Sequence, residues 1–305
     1  MDSPGVLSMN ITRRTALEVG TATLIGATTP LAFSAGTSAD SIRIGLSQYS
    51  LRQLIRNGSL TAMEYPAFAK DKFGITDVDV WEGGLPAEQQ NSEKWLKSLR
   101  KRAADGGSNI FLWMTSPVDC TKKSAADRKK VAESFHRPVD NATALGCKFV
   151  RIFVRAPDIE RADSVQACAE TIAPIAEYAK KNKVTLAIEP AASRLTREGS
   201  FLAELMKAMD HPHCRLMPDF GKLGGDIYAG NEAMMPWTVV VSAKSHNFDA
   251  NGNEEKFDYE RLIGTVRKSG FRGIVAIEYE GSRLGPVEGV LATQRLLQRH
   301  LKPKS

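Results

Sequence analysis

Five side chains able to move protons, hold a metal or stabilise negative charge follow short apolar runs in the second half of the chain. Leu186-Ala187-Ile188 leads into Glu189, Leu216-Met217-Pro218 into Asp219, and Ala276-Ile277 into Glu278; Lys244 and His246 close the run beginning at Val239. Carboxylates brought to one place repel unless a cation or a shared proton offsets them. A divalent ion is the economical cation. A mainly oxygen donor set favours Mn2+, Mg2+ or Co2+ over Zn2+. The four cysteines, Cys120, Cys147, Cys168 and Cys214, have no CxxC spacing and mark neither a zinc site nor a disulfide framework. Of five histidines, His211 and His213 precede the sixth apolar run and His136 and His300 fall in helical patterns, so His246 alone stands where these runs end.

Such side chains meet only if the elements carrying them converge. Eight strand-like runs are read at 42–47, 77–81, 109–114, 148–154, 184–189, 215–219, 239–245 and 274–279. Helical patterns fill the gaps at 61–73, 92–104, 125–145 with a kink expected at Pro138, 164–182, 200–209, weakly near 230–235, 259–269 and 286–300. Gly74, Gly106, Gly146 and Gly270 stand where left-handed helix caps are expected. Eight such units in about 250 residues have the rhythm of an α/β chain folded as a (β/α)8 TIM barrel, whose reacting groups sit at the C-terminal strand ends. A doubly wound sheet is the runner-up, but Leu46-Ser47-Gln48-Tyr49-Ser50 is not the glycine-rich loop that usually follows its first strand.

The N-terminus reads as an address. Arg13-Arg14 is followed by the weakly apolar, small-residue run 19–27, the form of a twin-arginine export signal. That run is shorter than the ~20 apolar residues of a membrane span. The expected division is a signal at 1–39 and one barrel domain at 40–305, with a periplasmic or otherwise extracytoplasmic location. The 305 residues carry a net charge of +6, 25% charged and 42% hydrophobic residues. Charges of both signs are interspersed, which argues for solubility and against nucleic-acid binding. A homo-oligomer is compatible with this composition.

The segments Ile188-Glu189-Pro190, Pro218-Asp219-Phe220-Gly221, Ala243-Lys244-Ser245 and Ile277-Glu278-Tyr279-Glu280-Gly281 resemble those of the xylose-isomerase-like TIM-barrel superfamily, closest to exported sugar phosphate isomerase/epimerase-like members. The resemblance implies one divalent ion held by a Glu, an Asp, a His and a second Glu from strands five to eight, carried here by Glu189, Asp219 and Glu278. Aligned on Ala243-Lys244, the family histidine falls on Ser242, which leaves His246 as the fourth ligand only if it swings in from the loop. Lys222 and Pro190-Ala191-Ala192 are further departures. The resemblance also implies isomerisation or epimerisation of a keto-sugar through an enediolate, with Glu189 and Glu278 exchanging the proton.

Lys244 is placed either as an oxyanion stabiliser or as a salt bridge at the barrel mouth. Glu82, Trp113 and His246 are candidate substrate contacts, with Trp81 and Tyr49 as further stacking surfaces. Asp249–Asn253 has a calcium-loop flavour but lacks the spacing, and reads as an Asn-Gly turn. The expected activity is a metal-dependent sugar isomerase or epimerase acting on a small-molecule sugar. The alternatives are a lyase or dehydratase using the same site, and a catalytically reduced barrel that binds carbohydrate or serves as a partner subunit.

Overall fold

The computed structural model describes residues 41–301. The export signal expected at 1–39 lies outside the described residues. The strands of the main sheet are β1 (Arg43–Leu46), β2 (Asp77–Trp81), β3 (Asn109–Met114), β4 (Phe149–Ile152), β5 (Thr185–Ile188), β6 (Cys214–Leu216), β7 (Val240–Ser245) and β8 (Ile274–Tyr279). Their order is β6-β5-β4-β3-β2-β1-β8-β7, and every pairing is parallel. β6 and β7 close the ring through parallel bridges Leu216–Thr238 and Asp219–Ser242, with Ser242 N–H donating to the Pro218 carbonyl at 2.8 Å. The result is the expected (β/α)8 barrel. A short parallel pair, Val118–Asp119 with Val154–Arg155, lies outside this ring.

Helices follow the strands as the hydrophobic spacing predicts, with three informative differences. The segment read as one kinked helix is two, Ala125–Ser134 and His136–Leu145. Pro138 cannot donate and its ring crowds the carbonyl four residues back, that of Ser134, where the first helix stops. Gly74, Gly146 and Gly270 adopt the expected left-handed conformation, whereas Gly106 has φ −80° and its neighbour Gly107 takes the turn at φ 75°. β6 ends three residues short of the expected boundary, just before Met217-Pro218, because a proline supplies no ladder donor.

Apolar side chains form two bodies. Phe111, Met114, Phe149, Ala187, Met217, Val240, Ile274 and Ala276 fill the inside of the ring. A larger cluster, with Val80, Trp113, Val150, Ile188, Val241 and Ile277 among its members, packs the outer sheet face against the helices. Both faces of a parallel barrel are thus buried, and β7 and β8 are buried at every position. Strand alternation then sets the site: Ala276 lies inside, Ile277 outside, and Glu278 inside again. Register places Glu278 beside Lys244 and Ala276 beside Ser242.

The loops beyond β7 and β8 touch through glycine. A Cβ on Gly281 would lie 1.8 Å from the His246 carbonyl oxygen and 2.4 Å from the Tyr279 hydroxyl. Gly281→Ala should therefore destabilise the protein by about 1–3 kcal/mol, the usual range for overpacking, read from the midpoint of urea unfolding; an unchanged midpoint would show that these loops separate freely.

Candidate active site

Above the apolar filling of the barrel lies a polar layer. Glu189 follows β5, Asp219 follows β6, Ser242 and Lys244 stand on β7, and Glu278 stands on β8. All are buried, with Glu189 and Asp219 at 0% exposure. One carboxylate oxygen from each of Glu189, Asp219 and Glu278 lies within 4.8 Å of the others. That spacing could hold a metal ion. It is also the arrangement that needs the most compensation if no ion is bound.

The chain itself supplies that compensation. Lys244 Nζ lies 2.9 Å from Glu278 Oε2, 3.4 Å from Asp219 Oδ2, and in contact with Glu280. Lys222 Nζ donates to Glu189 Oε1 at 2.7 Å, and Arg151 Nε lies 3.1 Å from Glu189 Oε2, close enough to pair by charge though not aligned as a hydrogen bond. Phe153 forms an aromatic floor for both cations, 4.0 Å from the Arg151 guanidinium carbon and 4.6 Å from Lys222 Nζ. Four carboxylates, those of Glu189, Asp219, Glu278 and Glu280, thus face three cations.

One further proton balances the set. Ser242 Oγ lies 2.9 Å from both Asp219 Oδ2 and Glu278 Oε2, yet a hydroxyl has a single hydrogen to donate. Both bonds exist together when one acid is protonated and donates to Oγ. Burial pushes the Asp219 carboxyl up to about 8 despite the neighbouring lysines. Burial also works against ionisation of Glu278, but there Lys244 and Lys222, with hydrogen bonds from Lys244 and Ser242, prevail and hold the carboxyl well below the usual range. The pair thus shares one proton, and burial favours placing it on Asp219 while the lysines favour an ionised Glu278. The same carboxylates raise Lys244 and Lys222 against the opposing effect of burial.

Convergence of oxygens fits a metal, but most of them are engaged: among the described residues only Glu278 Oε1 and Glu189 Oε2 of the three acids lack a hydrogen bond, and Arg151 stands against the second. Glu278 Oε2 already accepts from Ser242 and Lys244, and Asp219 Oδ1 accepts from Gly221 N–H at 2.8 Å. Asp219 Oδ2 is shared by Ser242 and Lys244, and Glu189 is claimed by Lys222 and Arg151. A divalent ion at this place would share its oxygens with ammonium groups. The residues present thus do not fit a divalent ion as they stand.

The other sequence candidates are placed differently. His246 is not brought into the carboxylate group: its backbone N–H donates to Glu254 Oε1 at 3.1 Å and its ring stands edge-on to Phe257 at 5.9 Å. Glu254 also accepts from the Lys256 and Phe257 N–H groups, so this loop is tied down and does not deliver the imidazole as a fourth ligand. Trp113 is 0% exposed within the outer core, so it offers no face to a sugar. Tyr49 and Trp81 are half-buried and pair edge-on at 5.0 Å, with Arg52 and Arg56 over their rings. Glu82 is bound to the Thr115 hydroxyl, and Arg137 lies 3.5 Å from it. The Thr115 carbonyl in turn accepts from Arg151 at 2.9 Å, so Glu82 reaches the site through this chain of contacts.

Residue spacing does not single out Arg151 or Asp79. A lone arginine inside the run 148–154 is the one signal for the first. Asp79 lies on β2 at 0% exposure; its Oδ1 accepts from Gln48 N–H at 2.8 Å and its Oδ2 has no hydrogen-bond partner.

A family model described as the xylose isomerase-like TIM barrel matches residues 67–300. A search of curated proteins finds no match. Among solved structures, a sugar phosphate isomerase/epimerase from Parabacteroides distasonis aligns with TM-score 0.60 and 19% identity, over 88% of this chain and 96% of its own. The 3-keto-D-glucoside 4-epimerase YcjR of E. coli aligns with TM-score 0.63 and 10% identity, over 85% and 100%. The IolI protein, solved with a bound zinc atom, aligns with TM-score 0.67 and 11% identity, over 85% and 98%. At these identities the likeness is one of fold.

Burial raises Asp79 to about 8, which makes a pH prediction. A carboxyl whose folded pKa lies above its unfolded value near 3.9 contributes stability below that value and loses it as pH rises towards the folded pKa. Asp79→Asn should remove this loss while keeping the acceptor for Gln48. Between pH 5 and pH 8 the stability of the native protein should fall relative to the variant, with a slope of up to about 1.4 kcal/mol per pH unit. Parallel curves in denaturant titrations would contradict the assignment. Taken together, the barrel, its closed register and the match over residues 67–300 place the chain in the xylose isomerase-like TIM barrel family.

Proposed function

We propose that the protein is a sugar isomerase or epimerase that moves a proton next to a ketone through an enediolate. The observation that carries this reading is the pair Glu189 and Glu278, buried carboxylates whose oxygens approach within 4.8 Å at the C-terminal mouth of the barrel and are flanked by ammonium groups. Proton abstraction beside a carbonyl needs a base, a group that returns the proton, and positive charge where the oxyanion develops. Glu278 and Glu189 supply the first two. Glu278 Oε2 is held by Ser242 and Lys244, while no hydrogen bond to its Oε1 is found among the described residues, which leaves Oε1 as the atom open to a substrate proton. Lys244 and Lys222 supply the charge.

Two of the structural neighbours are a sugar phosphate isomerase/epimerase and a 3-keto-D-glucoside epimerase, which supports a keto-sugar as the substrate class. The half-buried Tyr49 and Trp81 offer aromatic surface for the apolar face of a sugar. The Arg13-Arg14 segment supports export of the folded enzyme, and an extracytoplasmic enzyme is matched to non-phosphorylated sugars. The oxygen donors would suit Mn2+, Mg2+ or Co2+ better than Zn2+ if the lysines were displaced; the proton transfer itself uses groups of the chain alone.

Solvent exchange tests the chemistry whatever the product. In D2O, the enzyme should introduce deuterium at the carbon beside the ketone of one member of a panel of ketohexoses and 3-keto-glycosides, read by NMR. Glu189→Gln and Glu278→Gln should each slow that exchange ~10²–10⁴-fold, the usual contribution of a positioned acid or base. Exchange that survives both substitutions, or none with any member of the panel or its phosphorylated counterparts, would overturn the reading.

A further inference from the structure

The xylose-isomerase-like resemblance implies a metal, and the carboxylate spacing agrees with it, but the strand that should complete the ligand set carries something else. Ser242 occupies the place expected for a histidine, and Lys244 stands one pleat further on the same interior face. Lys244 is 3% exposed and its Nζ touches Glu278, Asp219 and Glu280 together. An ammonium has three hydrogens: two are given to Glu278 and Glu280, and the third, near Asp219 Oδ2 at 3.4 Å without a hydrogen bond to it, is the one left for a substrate oxygen. Ser242 Oγ bridges the same two oxygens, Asp219 Oδ2 and Glu278 Oε2, at 2.9 Å each. A serine hydroxyl at this position is both a poor ligand for a divalent ion and a good bridge between two acids sharing a proton. Across the site, Lys222 and Arg151 hold Glu189 in the same way.

We propose that the cation of this site is built into the chain: the Lys244 ammonium, completed by Lys222, takes the place of the divalent ion, so the protein binds no metal there and Lys244 receives the negative charge developing on the substrate oxygen. The first half of this inference needs only the carboxylate cluster, while the second rests on the isomerase reading. The physical reason is that a metal and an ammonium compete for the same oxygen lone pairs and repel one another across them. Compared with a metal, a lysine is always present and is covalently registered with its strand. It also offers directional hydrogen bonds to an oxyanion, which a spherical ion does not.

The test separates the two halves. Full-length protein without a metal-chelating tag, grown with added Mn2+ and Zn2+, should contain substoichiometric metal by elemental analysis and show no saturable heat with either ion in calorimetry. Its deuterium exchange should be unchanged by EDTA. Lys244→Met combined with Ser242→His should bind Mn2+ ~100-fold or more tightly than the native chain, the scale of a relieved like-charge contact. If that variant strands its carboxylates and folds only when Mn2+ is added, the result is the same. One equivalent of metal in the native protein, exchange abolished by EDTA, or a variant that neither gains affinity nor folds with Mn2+ would overturn the proposal. A metal-free protein lacking exchange on every sugar would instead sink the isomerase reading and leave the built-in cation standing.

Discussion

The barrel is organised around the problem of burying negative charge. Glu189, Asp219 and Glu278 are removed from water and held within reach of one another, an arrangement that carries several kcal/mol of penalty per uncompensated charge. Lys244, Lys222, Arg151 and one shared proton meet that penalty, each from a different place in the chain. Lys244 and Arg151 are buried and Lys222 is half-buried, so removing any one of them leaves a buried carboxylate with less compensation. The cluster therefore behaves as a unit, and its geometry is only as good as the register of the strands that carry it.

That register comes from the closed parallel sheet. Pairing of Glu278 with Lys244 and Ala276 with Ser242 follows from β8 lying against β7, and the β6–β7 closure sets Asp219 against Ser242. A slip of one residue would turn Glu278 and Lys244 into the outer core among Ile277 and Val241, and bring apolar side chains into the site. The interior apolar filling supports the layer from below, and the contact of Gly281 with the His246 carbonyl joins the loops above it. Stability and function thus draw on the same strand alternation.

Charge also explains why the expected histidine ligand is dispensable. With Lys244 in place, the carboxylates already have a cation, and the loop carrying His246 is free to be fixed by Glu254 instead. The lowered basicity of His246, caused chiefly by burial and then by Lys256 and Lys244, keeps another positive charge away from the lysines. The four carboxylates and three cations, with one shared proton, form a balanced set.

Much of this is legible in the amino-acid order, and the limits are physical. Strand and helix period, the apolar runs ending in Glu189, Asp219 and Glu278, and the left-handed glycines at 74, 146 and 270 follow from local rules of spacing and backbone freedom. Local rules misplace the cap at Gly106, where the next glycine is equally able to turn, and join two helices across Phe135, where the break depends on how Pro138 meets the preceding turn. Trp113 could point either way from its strand, and its register beside Val80, itself in the outer core, places it outward. Above all, sequence establishes that acids gather at one end of a barrel; it does not establish what neutralises them. Lys222, Arg151 and Lys244 lie on different loops and strands, and their meeting with particular oxygens depends on ring closure and register, which are properties of the folded chain alone.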